Sequence, residues 1–540
     1  MQGLKDGLKA LTNCTVYLGA GKSISRAYVV FDRERTEEVG PLGSFKPGPG
    51  METFDLQGAL VLPGLIDSHL HLVNYAKSLV EIDLADTRSL EAGLDVVGRE
   101  ARHLPAGAWL RGRGWDKQRW GLDSFPTRTM LDSVAPDRPV ALTSRDGHLL
   151  WLNSAALSAL GLDRPPEPVE GGEAVVDARG RPTGMFKEKA ATLILGRLDS
   201  RDRGRAQEAI ALACGNLRRL GLTGVHTIEP EGLSRVLDEA VDAGLVPLDL
   251  FRMQEVLTAE EIDSLSPSSR IACIKTYADG TLGSQTASML EPFNGQPGNF
   301  GIPFAAKAEL RRIVLRAVGR GFAVSVHAIG DRATRDVLDI YEEVRTEEAR
   351  EAAERVSRGG RTEGGGGLTR RALLRIEHAQ ILSPGDVSRF GCLGVVASMQ
   401  PIHLVSDRPV ADRYWGARSQ YAYAWKRIMD AGGTVAFGSD APIESPDPLK
   451  GIHAAVTRSD PLRPDLGPWY PDERLAVWQA IDCFSFGGIA ASGGEPGDLV
   501  GGRPSFSILD TNIVEAEDPG MILTAHVIGT VVGGQPFFYL

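Results

Sequence analysis

Cysteine is scarce in these 540 residues: five, scattered at Cys14, Cys214, Cys273, Cys392 and Cys483, with no CxxC pair. An odd, dispersed set excludes a disulfide framework and a zinc ribbon. No apolar run reaches the roughly 18 residues of a membrane span, which excludes integral insertion. No Lys/Arg run could follow a phosphate backbone, and 59 basic against 70 acidic side chains leave a net charge of −11, so nucleic acid is excluded as the main partner. The opening MQGLKDGLKALTN lacks the apolar stretch of a secretion signal, and a cytoplasmic location is expected. Glycine, by contrast, is plentiful at 63 residues, above the average of roughly 7%, as in a fold with many tight turns near a ligand.

The chain changes texture along its length. Residues 14–19, 25–32 and 51–64 read as short strands between Gly/Pro turns, and so do 505–510 and 525–539. These two ends predict a β-sandwich domain built from 1–62 and 491–540. Between them, buried apolar runs alternate with helical patterns, the signature of βα units. Eight such strands are read: LIDSHLHL, GVHTIE, LDLFRM, ACIKTYADG, AVSVHAIGD, LLRIEHAQ, GVVASMQP and TVAFGSDAP. Eight βα units predict a TIM barrel, over 63–80 and 191–490, with its active site at the C-terminal strand ends. The helix 308–321 should bury Leu310, Ile313, Val314 and Val318. Residues 81–190 are too long for one βα unit and read as an insertion expected to cover the active site. The glycine run at 364–367, after a charged helical stretch, reads as a flexible loop.

His69 and His71, at i and i+2 on the first barrel strand, point to one face, as two ligands of one metal require. Three later strands end in His327, His378 and Asp440. Each alone is more readily a core or capping residue; five such donors aimed at one barrel mouth make a metal centre. Lys275 closes the fourth strand, where a buried ammonium is costly. It either pairs with Asp279 or a substrate carboxylate, or reacts with CO2 to give a carbamate able to bridge two cations.

The stretches LPGLIDSHLHL, RGRGWD, FPTRTMLDSVAPDRPVALTSRDGHLLWLNSAAL, GRPTGMF, IKTYADGTLGSQTA, VHAIGDRA, RIEHAQ, QPIHLVSD and AFGSDAPIESPDPL resemble, in order, those of the metal-dependent amidohydrolase superfamily, and within it the family 3 amidohydrolases. The resemblance implies His69 and His71 on the more buried metal and His327 and His378 on the more exposed one. Carboxylated Lys275 would bridge the two, with Asp440 as ligand and proton shuttle. It also implies that Trp115, His148, Asp279, His403 and Arg418 line the substrate pocket. The run RYWGARSQYAYAW and the C-terminal GEPGDLVGGRPSFSILD depart from the family pattern.

The function so implied is hydrolysis of a C–N bond in an amide, N-formyl compound or cyclic amide by a metal-bridging hydroxide. The cofactor would be a divalent metal, two Zn by default, with Fe, Mn or Co left open by the donor types. The alternatives are a mononuclear amino-heterocycle deaminase, which has no need of Lys275, and a non-catalytic binding protein on the same scaffold. The expected partners are a small amide-like substrate and a second copy of the chain, with neither nucleic acid nor membrane.

Overall fold

The computed structural model describes residues 7–539 except 106, 146–148, 165–171, 202, 266–269, 358–370 and 496–498. The glycine run at 364–367 and His148 therefore lie outside the described residues. The chain divides into two compact units, Met1–Leu72 with Cys214–Ser234 and Val246–Leu540, and Val73–Ala213 with Arg235–Leu245.

The first unit holds the barrel. Its strands are β1 (Leu65–Leu70), β2 (Leu222–Glu229), β3 (Asp249–Glu255), β4 (Cys273–Tyr277), β5 (Ala323–Ala328), β6 (Leu374–His378), β7 (Val395–Met399) and β8 (Thr434–Phe437). They are parallel and adjacent in chain order, so all eight expected strands form one TIM-like barrel. Every residue of β2, β6 and β7 is buried, which is why these strands read as continuous apolar runs rather than alternating ones. The helix Lys307–Gly319 buries Leu310, Ile313 and Val314 as expected, with Ala317 taking the fourth place rather than Val318.

Backbone bonds just beyond β8 complete the ring: Asp440 N–H donates to the His69 carbonyl (2.7 Å) and His71 N–H to the Ala441 carbonyl (2.9 Å). The same unit carries an eight-stranded sheet made by both chain ends, with Leu60–Pro63 paired to Phe506–Leu509. Its core joins Leu11, Val16, Val29 and Phe31 to Phe506, Ile508 and Val531. One strand, Thr36–Pro41, escaped the sequence pattern. It is a polar edge strand, its one strand partner among the described residues being Lys22–Phe31, and an edge needs no apolar alternation.

The second unit is a six-stranded sheet from Ile82–Asp83 to Pro182–Glu188 with its helices. It is wider than the expected 81–190 because the helix beginning at Lys189 packs on that sheet, burying Ala190, Ala191, Ile194 and Leu198 with Leu150 and Phe186. No helix among the described residues is long and apolar enough to cross a membrane.

Candidate metal centre

The ends of β1, β4, β5, β6 and the turn after β8 supply the chemistry. On β1, the two-residue repeat turns Asp67 and His69 to the same face, both nearly fully buried. His71 follows one residue past the strand. Its Nδ1–H donates to the Ile228 carbonyl (3.0 Å), which turns Nε2 toward Asp440 Oδ1, 3.4 Å away. His69 uses its Nδ1 on Glu377 Oε2 (2.5 Å), and its Nε2 lies 3.3 Å from the same Asp440 oxygen. His327 Nε2–H donates to the Gly280 carbonyl (3.1 Å), so Nδ1 is its free nitrogen. The His378 ring sits between those of His327 and His69, with centroids 4.5 and 4.8 Å away.

Two of these donors hold unusual backbone. His378 and Asp440 have φ of +71° and +62°, a region that side chains other than glycine adopt only when the surroundings insist on it. Hydrogen bonds on either side insist here: Ala379 N–H to the Ala328 carbonyl (3.0 Å), and Asp440 N–H to His69. Asp67 locks the same turn to β1, accepting from His69 N–H (3.0 Å), Ser439 N–H (3.0 Å) and Ser439 Oγ–H (2.5 Å).

The electrostatics suit cation binding. Burial and then the Lys275 charge push His327 down to about 3. Burial and then His327 hold His378 well below its usual value, so both rings keep their lone pairs at neutral pH. Burial opposes the charge of Asp440, but the adjoining His69 and His71 rings outweigh it and hold the carboxyl well below the usual range. Burial likewise disfavours protonation of His69, yet Glu377 and Asp440 prevail and raise it to about 9. Lys275, 1% exposed on β4 beside Ser325 of β5, is lowered from 10.5 to about 8 by burial. Its Nζ lies 3.9 Å from the Tyr277 ring centroid.

The residues present fit a divalent metal. His69, His378 and Asp440 each offer a ligand atom, all within 4.8 Å of one another. Imidazole and carboxylate are the donors such ions take. His378 Nδ1 and His403 Nε2 are buried without a hydrogen-bond partner among the described residues, a costly condition that a bound cation or substrate would relieve.

The substrate-lining expectations fare differently. His403 heads the helix His403–Tyr414 and brings Nε2 to 3.7 Å from Asp440 Oδ2, so it joins the site. Trp115 does not: it is fully buried in the second unit, its indole N–H donating to the Leu142 carbonyl (3.0 Å) and its ring tilted against Trp120 and edge-on to Trp151. Asp279 accepts three backbone N–H groups, from Ser288, Ile329 and Gly330 at 2.8–3.0 Å, and so ties the loops after β4 and β5 together. Burial nonetheless raises it to about 7. Arg418 is spent on the carbonyls of Glu291 (2.9 Å), Pro292 (2.7 Å) and Trp415 (3.4 Å). In each case backbone satisfaction, which residue type and spacing do not reveal, has claimed the polar group.

Conversely, Asp67, Glu377, Arg375 and Tyr277 were not singled out from the sequence. A signal for the middle two existed: RIEH places opposite charges at i and i+2 of a buried strand, where neither would survive unpaired.

A model of the amidohydrolase family matches residues 52–538. YtcJ of Bacillus subtilis (strain 168), named as an amidohydrolase, is 32% identical over 505 residues, covering 90% of this chain and 90% of the relative. An N-substituted formamide deformylase of Arthrobacter pascens is 28% identical over 512 residues, again 90% of each. Among solved structures, an uncharacterized metal-dependent hydrolase from Pyrococcus horikoshii OT3 is 26% identical with a TM-score of 0.74, covering 95% of this chain and 99% of that one.

Proposed function

The chain belongs to the amidohydrolase family, and we propose that it hydrolyses a C–N bond in an amide, N-formyl compound or cyclic amide. The observation that carries this reading is the convergence of three imidazole nitrogens on one carboxylate: His69 and His71 at 3.3 and 3.4 Å from Asp440 Oδ1, and His403 at 3.7 Å from Oδ2.

The metal would be held by His69, His71, His327, His378 and Asp440, with carboxylated Lys275 as bridge where two ions, zinc by default, are bound. When bound, the metal supplies Lewis acidity that polarises a carbonyl and makes water acidic enough to attack near neutral pH. Asp440, kept ionised by its two histidines, accepts the proton lost by the attacking water and returns it to the departing nitrogen. His403 Nε2, unpartnered within hydrogen-bonding distance, is placed to hold a substrate oxygen beside the other carboxylate oxygen. Burial brings Lys275 to about 8, so an appreciable fraction is the neutral amine that reacts with CO2. Because Arg418 and Asp279 are consumed within the barrel loops, neither is available to read charge on the substrate.

Two measurements together test the reading: metal content per chain, and turnover across a panel of N-formyl and N-acyl amines by the metal-loaded protein. Two ions and amine release support it. One ion with Lys275 unmodified, and ammonia released from an amino-heterocycle instead, would move the chain to the deaminase alternative.

A further inference from the structure

Beneath the metal ligands, β6 sends Arg375 and Glu377 into the barrel, both with 0% exposure. The guanidinium meets five partners: Glu377 Oε1 (2.9 Å), His226 Nδ1 (2.9 Å), the Ala491 carbonyl (2.9 Å), the Ser68 carbonyl (2.7 Å) and Ser398 Oγ (3.2 Å). It is thereby fixed from β1, β2, β7 and the helix Phe486–Ala491. The Glu377 carboxylate is divided just as strictly. Oε1 accepts from Arg375 Nε and from Ser325 Oγ (2.6 Å), and Oε2 has His69 Nδ1 (2.5 Å) as its partner among the described residues.

An imidazole binds a metal through a nitrogen that carries no proton, and the partner of the other nitrogen decides which one that is. We propose that Glu377 is the positioning residue for His69: it keeps the ring proton on Nδ1, so that Nε2, facing Asp440, is the nitrogen that sheds its proton to bind a metal, while Arg375 and Ser325 fix which carboxylate oxygen does so. The inference rests on His69 being a metal ligand and is independent of which bond the protein cleaves.

The division of labour makes the isosteric variant informative. Arg375 Nε and Ser325 Oγ are both donors, so in Glu377→Gln the amide oxygen must occupy the Oε1 position. Its NH2 group then faces His69 Nδ1. A donor there requires Nδ1 to accept, which places the ring proton on Nε2, where the metal should be. Shape and packing are kept while the tautomer is inverted.

Full-length protein, stripped and reloaded by competition against a chromophoric chelator, should show Zn2+ affinity about 10–100-fold weaker in Glu377→Gln, with unchanged circular dichroism. Wild-type affinity in the folded variant overturns the inference. Should the variant not fold, the wild-type protein loaded with 113Cd and labelled with 15N-histidine decides. Cadmium coupling at His69 Nε2 with a protonated Nδ1 supports the assignment; coupling at Nδ1 overturns it. Failure of His69 to couple at all removes its ligand role and this inference with it, and leaves the C–N reading to the substrate panel.

Discussion

Asp440 is tied to His69 twice: its backbone N–H donates to the His69 carbonyl at 2.7 Å, and its Oδ1 lies 3.3 Å from His69 Nε2. The first bond closes the barrel and the second assembles the site. Ligands contributed about 370 residues apart in sequence are thus brought together by the topology itself, because β8, whose following turn carries Asp440, must lie beside the strand that leads into the HxH pair.

That seam is close. A Cβ on Gly438 would meet His69 N at 2.6 Å and Asp67 Oδ1 at 2.7 Å, both held in the hydrogen bonds that lock the turn. Gly438→Ala should therefore cost about 1–3 kcal/mol, as other forced insertions into packed regions do. It should weaken metal retention as well. Denaturant melts with metal content measured on the same preparation check both effects, and a stable, fully loaded variant would show that the seam has slack.

Asp440→Asn keeps the shape of the carboxyl and loses its capacity to take a proton. General-base contributions run to about 100-fold or more in rate, and a fall of that size in kcat is expected while some metal remains bound through the histidines. Near-wild-type kcat on a true substrate would assign the proton transfer elsewhere.

Arg418 separates a structural tie from substrate recognition. Its three donor nitrogens serve backbone carbonyls, so Arg418→Ala should lower stability by about 1 kcal/mol, the net worth of ordinary hydrogen bonds whose acceptors water can reach. The ratio of kcat/KM between a neutral amide and its carboxylate-bearing analogue should not move. A selective loss on the anionic substrate would restore Arg418 to the pocket.

What was legible in the chain follows from what periodicity records. The barrel strands show most plainly as apolar runs where both faces are covered, as in β2, β6 and β7, and His69, His71, His327, His378 and Asp440 show because they punctuate strand ends. The roles of Asp279 and Arg418 were hidden, since their partners are backbone groups of loops brought near only by folding. Trp115 looked available because an aromatic side chain carries no mark of which side of a sheet it faces. Glu377 went unnoticed beside His378, although a charged pair in RIEH announces buried ionic structure.

The thiols offer a check on the fold. Cys14, Cys214, Cys273 and Cys483 are buried and Cys392 is exposed. Burial raises the first three to about 12, and Cys483 higher still, so they are neither accessible nor ionised, and the thiolate is the reactive form. Native protein should react with an aromatic disulfide reagent at one site, Cys392, and at five after denaturation. Rapid labelling of a second thiol would contradict the packing of the strand that carries it.

Lys275 carries a pH dependence whose sign is set by burial. Its amine is lowered from 10.5 to about 8 in the folded chain, so between those values the unfolded chain binds a proton that the folded chain does not. Stability of the metal-free protein should then rise with pH through that window, and be lost as pH falls through about 8. At about 1.4 kcal/mol per unit the span is on the order of 3 kcal/mol. Lys275→Met has no proton to exchange and should flatten this part of the profile, measured as urea melts from pH 7 to 10.5. The same shift bears on chemistry. Below pH 8 the neutral amine grows about tenfold per unit, so at a fixed concentration of dissolved 13CO2 its incorporation into a lysine carbamate during metal loading should accelerate from pH 7 to 8 and level off above. A carbamate signal absent at every pH, with metal nevertheless bound, would leave Lys275 as a buried amine packed on Tyr277 and would remove the bridge from the centre.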